Sequence, residues 1–80
     1  MSVDTQAFAA EVRAEMARTS RTRTQLAEVL NHNLFTTARL FRGNTPYTAW
    51  EQHVISLWLG VPLTDLMARA EHNLAPKEAA

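Results

Sequence analysis

Apolar residues in this 80-residue chain recur at helical spacing in successive blocks, and nowhere do they alternate with period two over a useful length. The first block predicts a helix over Val3 to Thr19, with Ser2 or Asp4 as cap. Its core stripe is Phe8, Val12 and Met16 at i, i+4, i+8; Ala9, Ala10, Ala14 and Ala17 raise helix propensity, and Glu11, Arg13, Glu15 and Arg18 fall on wetter faces. After Thr19-Ser20-Arg21 comes a short helix opened by Thr22-Arg23-Thr24-Gln25, a capping box in which the threonine hydroxyl and glutamine side chain satisfy each other's backbone N–H. Leu26, Ala27 and Leu30 share one face of it. Asn31-His32-Asn33 then breaks the pattern with residues that favour turns and visit the left-handed region. Asn33 can cap a further helix, Leu34 to about Arg42, which Gly43 stops.

A second capping box, Thr48-Ala49-Trp50-Glu51, opens a helix that runs to about Leu59 and stops at Gly60. Its surface is widely apolar, with Trp50, Val54, Leu57 and Trp58 on one face and Ile55 and Leu59 to the side. Two explanations fit: this is the central helix, buried on several sides, or part of it faces a second subunit. A last helix begins within Val61-Pro62-Leu63-Thr64-Asp65-Leu66-Met67 and fades at Glu71-His72-Asn73, leaving 74–80 as a frayed tail. The expected fold is therefore all-α, a five-helix bundle in one domain over residues 1–73.

Length and composition narrow the function. A domain of this size buries only about 60–65% of the surface its unfolded chain exposes, so its stability is modest. With no cysteine there is neither a disulfide framework nor a thiolate zinc site, which suits a reducing cytoplasm. No apolar run approaches the roughly 18–20 residues that span a bilayer, and no signal-peptide pattern opens the chain, so it is expected to be soluble and cytoplasmic. Formal net charge is zero, yet Arg13, Arg18, Arg21, Arg23, Arg39 and Arg42 lie between residues 13 and 42, opposed there only by Glu15 and Glu28. Positive charge is thus local. The preference for arginine over lysine suits phosphate and base edges, or reflects a GC-rich genome. His32, His53 and His72 have neither metal-ligand spacing nor a nucleophile partner, the acids are scattered and no glycine-rich phosphate loop is present, so no catalytic residue, metal or cofactor is expected.

The order Leu26-Ala27-x-x-Leu30, a turn, a polar helix ending in Arg42-Gly43, a proline, then Leu59-Gly60-Val61 and Leu63-Thr64-Asp65-Leu66 resembles the helix-turn-helix domains of the phage repressor, Cro and xenobiotic-response-element family. The resemblance covers residues 22–67, and the spacings from Leu26 to Gly43 and from Gly43 to Gly60 agree without gaps. Departures are Asn31 for the turn glycine, His32 and Thr37 for buried aliphatics, Pro46 one residue early, and Gln52 and His53 where leucine is frequent. They leave the packing of the second motif helix and the start of the fourth helix open.

What the resemblance implies is a cytoplasmic, nucleoid-associated transcriptional regulator of a bacterial host, reading double-stranded DNA with helix 34–42 in the major groove. Thr37 and Leu40 would point inward, with Phe41 partly covered. Base-reading candidates are Asn33, Leu34, Phe35, Ala38 and Arg39, with Arg39 suited to a bidentate guanine contact and Asn33 to adenine or a phosphate. Leu34 and Phe35 can offer only apolar contact, as to thymine methyls, unless Phe35 turns inward to fill space left by His32 and Thr37. Phosphate-holding candidates are Arg21, Arg23, Gln25, Thr36, Arg42, Asn44, Thr45 and Tyr47, helped by the N-terminal dipole of the helix that starts at Arg23. A homodimer is expected, with Trp58, Leu63 and Met67 as its apolar surface. The rival expectation is a protein-interaction module, of antitoxin or antirepressor type, with Leu34 and Phe35 as apolar anchors. No small-molecule ligand and no membrane partner is indicated.

Overall fold

Local signals place the helix ends. In the computed structural model, which describes residues 5–74 and side chains as far as His72, the chain forms α1 (Thr5–Arg18), α2 (Arg23–Leu30), α3 (Leu34–Arg42), α4 (Ala49–Leu59) and α5 (Leu63–Leu74). No strand occurs among the described residues. The candidate caps Ser2 and Asp4, and the expected tail beyond Leu74, lie outside them. Both capping boxes form: Gln25 N–H donates to Thr22 Oγ1 at 3.2 Å and Thr22 N–H to Gln25 Oε1 at 2.9 Å. Glu51 N–H donates to Thr48 Oγ1 at 3.1 Å and Thr48 N–H to Glu51 Oε1 at 2.8 Å. Asn31 closes α2 in the left-handed region at φ 57°, and Gly43 closes α3 at φ 81°. The last helix starts at Leu63, within the stretch the sequence pattern indicates, and Pro62 supplies the carbonyl that accepts from Asp65 and Leu66 N–H.

The core gathers Phe8, Val12 and Met16 of α1 with Leu26, Leu30, Leu40, Ile55, Leu59 and Leu66, each no more than 6% exposed. A buried side chain of this size contributes about 1.5–3 kcal/mol through loss of apolar surface to water. Buried Tyr47 closes this core from the α3–α4 loop, its ring edge-on to Phe8 with centroids 5.2 Å apart. The hub is α1, which packs on α5, α3 and α4. Its Glu15 carboxylate accepts from Arg18 at 2.7 Å and, across the interface with α5, from Arg69 at 3.1 Å.

This arrangement corrects the expectation of a central fourth helix. The buried seam of α4 is Glu51, Ile55 and Leu59, while Trp50 is 57% and Leu57 70% exposed, and Val54 and Trp58 are half-buried. A helix that is apolar on most sides leaves its burial direction to long-range packing, and here Glu51 turns inward to meet His32 at 2.6 Å. The same packing bears on the residues expected at a dimer surface. Trp58, Leu63 and Met67 are half-buried against the core of their own chain, and the exposed apolar side chains of α4 are Trp50 and Leu57.

Candidate nucleic-acid interface

The site is built on α3, whose inner face is sealed. Thr37 and Leu40 are 0% and 1% exposed. A buried threonine needs a hydrogen-bond partner, and Thr37 Oγ1 finds one locally in the Asn33 carbonyl at 2.9 Å. The first turn is held from outside as well, since Asn33 Oδ1 accepts from Thr36 N–H at 2.7 Å. That capping bond occupies the carbonyl oxygen of Asn33 and leaves its Nδ2 amide as the group with no part in the cap.

At the C-terminal end, the ties run to other elements. Tyr47 Oη donates to the Leu40 carbonyl at 2.7 Å, and Arg13 Nη1 donates to the Phe41 carbonyl at 2.7 Å. The half-buried Phe41 ring has two guanidinium groups near it, Arg13 Cζ at 5.8 Å and Arg23 Cζ at 5.5 Å from its centroid. Each such contact contributes about 0.5–1 kcal/mol at a partly exposed site. Arg13 thereby fixes α3 to α1, and Arg23 fixes the start of α2 to α3.

Rotation by about 100° per residue places Leu34, Ala38, Arg42, Phe35 and Arg39 on one arc of about 140°, opposite Thr37 and Leu40. Along this arc Leu34, Phe35, Arg39 and Arg42 are exposed and Ala38 is half-buried. Among the described residues no carboxylate lies in ion-pair range of Arg23, Arg39 or Arg42. A depression lined by Arg23, Thr24, Leu34 and Ala38 joins the arc to the start of α2. Gln25 is exposed beside it, and because its Oε1 serves the capping box, its amide N–H groups are the part not used there. Thr36 is half-buried at the rim and Asn44 is exposed just beyond Gly43.

Phe35 is 73% exposed, which removes the alternative of an inward ring: Thr37 satisfies its own hydroxyl and Leu40 fills the space beneath. Three phosphate-holding candidates have structural placements instead. Tyr47 is 7% exposed with its proton committed to Leu40, and burial pushes its hydroxyl pKa well up, against the opposing effect of Arg13. Half-buried Arg21 donates to the Trp58 carbonyl at 2.8 Å and lies over the Trp58 ring at 5.1 Å, so it clamps the α1–α2 connection to the end of α4. The Thr45 hydroxyl is buried. The loop residues look available because a turn is normally solvated, whereas the Tyr47 and Arg21 side chains reach backbone carbonyls 7 and 37 positions away.

Sequence reasoning missed the pair His32–Glu51, which joins the α2–α3 turn to α4. Burial raises the Glu51 carboxyl pKa, but the bond from His32 and the bonds from Thr48 outweigh it and hold the group below its ordinary value. Among the described residues, no group of three or more histidine or acidic side chains could hold a metal, and no helix is long and apolar enough to cross a membrane.

No family model matches the chain, and a search of curated proteins finds no relative. Among solved structures, the crystal structure of the clp gene regulator ClgR from C. glutamicum is similar over 96% of this chain and 100% of that one, with a TM-score of 0.83 and 21% sequence identity. The likeness establishes the fold: five helices carrying a helix-turn-helix unit, α2–turn–α3, in an arrangement shared with a gene regulator.

Proposed function

We propose that this chain is a DNA-binding transcription regulator of the phage repressor or Cro type, which reads an operator by laying the outer arc of α3 in the major groove. The observation that carries the reading is the contrast within α3: a sealed inner face, and an outer arc on which Arg39 and Arg42 stand exposed with no carboxylate in ion-pair range among the described residues. Arg39 contacts guanine through its planar fork. Arg23, Arg42, Gln25, Thr36 and Asn44 hold phosphates around it, with Asn33 Nδ2 a further donor at the start of the helix. Similarity to a clp gene regulator supports regulation of transcription as the role. In this reading the regulator acts as a homodimer in the cytoplasm, since reading two half-sites one duplex turn apart, about 34 Å, takes two copies of α3.

A gel shift with the duplex upstream of the chain's own coding sequence tests this. Binding should weaken steeply as salt rises, since each neutralised phosphate releases counterion. Arg39→Ala should relax base preference at one position by about 1–3 kcal/mol, and Arg23→Ala should weaken all sequences alike and lower the salt slope by about one. Absence of salt-sensitive binding would overturn the DNA reading. It would favour the second one, a protein-interaction module of antitoxin or antirepressor type, for which the exposure of Leu34 at 59% and Phe35 at 73% is the specific support.

A further inference from the structure

We infer that Leu34 and Phe35 read the C5-methyl groups of thymine, so that α3 reads its site with two chemistries in succession: methyl contact from its first turn and guanine recognition from Arg39 beyond it. The inference rests on the DNA reading above and specifies what that site recognises.

Both side chains lie on a first turn held by the Asn33 cap at 2.7 Å and by the Thr37–Asn33 bond at 2.9 Å. Below them Thr37 and Leu40 fill the core. They therefore keep 59% and 73% exposure with no inward position to occupy, and must meet whatever docks on α3. Their neighbours decide what that is. Leu34 and Ala38 border the depression that Arg23 lines, and Arg39 and Arg42 share the arc with Phe35. An apolar protein surface covering this pair would bring the exposed guanidinium groups of Arg39 and Arg42 against it. A major groove offers phosphates along its rim and, on its floor, the thymine methyl as its apolar feature. Leucine and phenylalanine donate no hydrogen bond, so the discrimination they supply is the presence or absence of that methyl.

Spacing sets the order along the site. Phe35 and Arg39 are one helical turn apart, about 6 Å along the axis, or roughly two base-pair steps. The preferred half-site thus has one or two thymines about two pairs from the guanine that Arg39 reads.

The test begins with selection of the preferred duplex from a random-sequence pool by the full chain. That duplex is then remade with deoxyuridine for each thymidine, which removes only the methyl. One or two thymidines should matter, each by about four-fold in affinity, the effect of taking one methylene-sized group out of contact. Phe35→Ala, at an exposed position that leaves folding unchanged, should bind both duplexes alike, whereas Arg39→Ala should retain the difference. Replacing the sensitive T·A pair by a C·G pair, with and without a 5-methyl group on the cytosine, separates methyl contact from thymine's other groups; the methyl should restore part of the loss. Salt-sensitive binding that is equal for thymidine and deoxyuridine duplexes overturns this inference and leaves the DNA reading intact. Failure to bind any duplex overturns the DNA reading itself, and Leu34 and Phe35 are then surface for a protein.

Discussion

α3 and α4 are made from the same local signals, yet the molecule holds them differently. Each begins at a side-chain cap, ends at a left-handed glycine and exposes two large apolar side chains, Leu34 and Phe35 on one, Trp50 and Leu57 on the other. At Gly43, however, an added Cβ would stand 3.0 Å from Gln6 Cα and 3.2 Å from Ala9 Cβ, whereas at Gly60 it would meet nothing within 4 Å. The end of α3 is pressed on α1, and its last carbonyls accept from Tyr47 and Arg13; the end of α4 has the clamp from Arg21, the local Ser56–Val61 bond and open space around its glycine. Caps thus fix where a helix lies in the chain, and tertiary ties fix where it points. The exposed apolar pairs differ too. The one on α3 shares its arc with Arg39 and Arg42, and the one on α4 flanks His53. Exposed apolar surface alone does not identify a partner; the charges beside it do.

The largest effect expected separates the two glycines. Alanine at either position must adopt a left-handed conformation at a cost of about 1–2 kcal/mol. Gly43→Ala must in addition displace the backbone of α1, for a total of about 2–4 kcal/mol, while Gly60→Ala should stay near about 1 kcal/mol. Urea denaturation of the two variants measures the difference. Equal losses would mean that the close approach of α1 to α3 relaxes without cost, and the contrast between the two helix ends would fall.

Next in size is the tie from the loop. Tyr47→Phe removes the side-chain donor from the Leu40 carbonyl, which keeps the Gly43 N–H at 3.0 Å, and should destabilise by about 0.5–1.5 kcal/mol. Burial also raises the hydroxyl pKa in the folded state, so the contribution is complete below the unfolded value of about 10 and is lost as pH rises through the folded one. Because the chain has a single tyrosine, its absorbance titration is unambiguous: ionisation should coincide with alkaline unfolding, and Tyr47→Phe should flatten that limb of the stability curve. Slower hydrogen exchange at the end of α3 than at the end of α4, abolished by Tyr47→Phe, would sharpen the comparison.

These contrasts show what the sequence could reveal. Capping boxes, the Asn31 turn and the glycine stops involve residues at most a few positions apart, so the chain displays them directly. The inward face of α3 was legible as well, since Thr37 and Leu40 are spaced for one face. The buried face of α4 was not, because its apolar residues fall on most sides of the helix and give no single periodic answer, and the inward turn of Glu51 is seen only in its contact with His32, 19 positions away. Tyr47 and Arg21 were misread for the same reason: a polar residue in a loop looks like a donor to solvent or phosphate until the fold brings a carbonyl to it. Two placements of Phe35 fit the sequence, and its 73% exposure decides between them.

The smallest effect expected concerns the bond that links the two regions. Glu51, 7% exposed, sends Oε1 to the cap of its own helix and Oε2 to His32, in the turn that leads into α3. Burial opposes its charge, and the bonds from His32 and Thr48 together hold its pKa below the ordinary 4.5. A carboxyl depressed in the folded state contributes stability above its unfolded pKa and loses it as pH falls through the folded value. Glu51→Gln keeps an acceptor for the cap and an amide within hydrogen-bond reach of His32, so near pH 7 it should cost only about 1 kcal/mol or less. Below about pH 4.5 the wild-type curve should decline more steeply than the variant's, which urea midpoints measured at pH 7 and pH 3.5 will resolve. Parallel decline would mean that the pair contributes no proton linkage. Loss of amide protection at the start of α3 in Glu51→Gln would go further, because it would make α4 part of what positions the reading helix and narrow the distinction between the two.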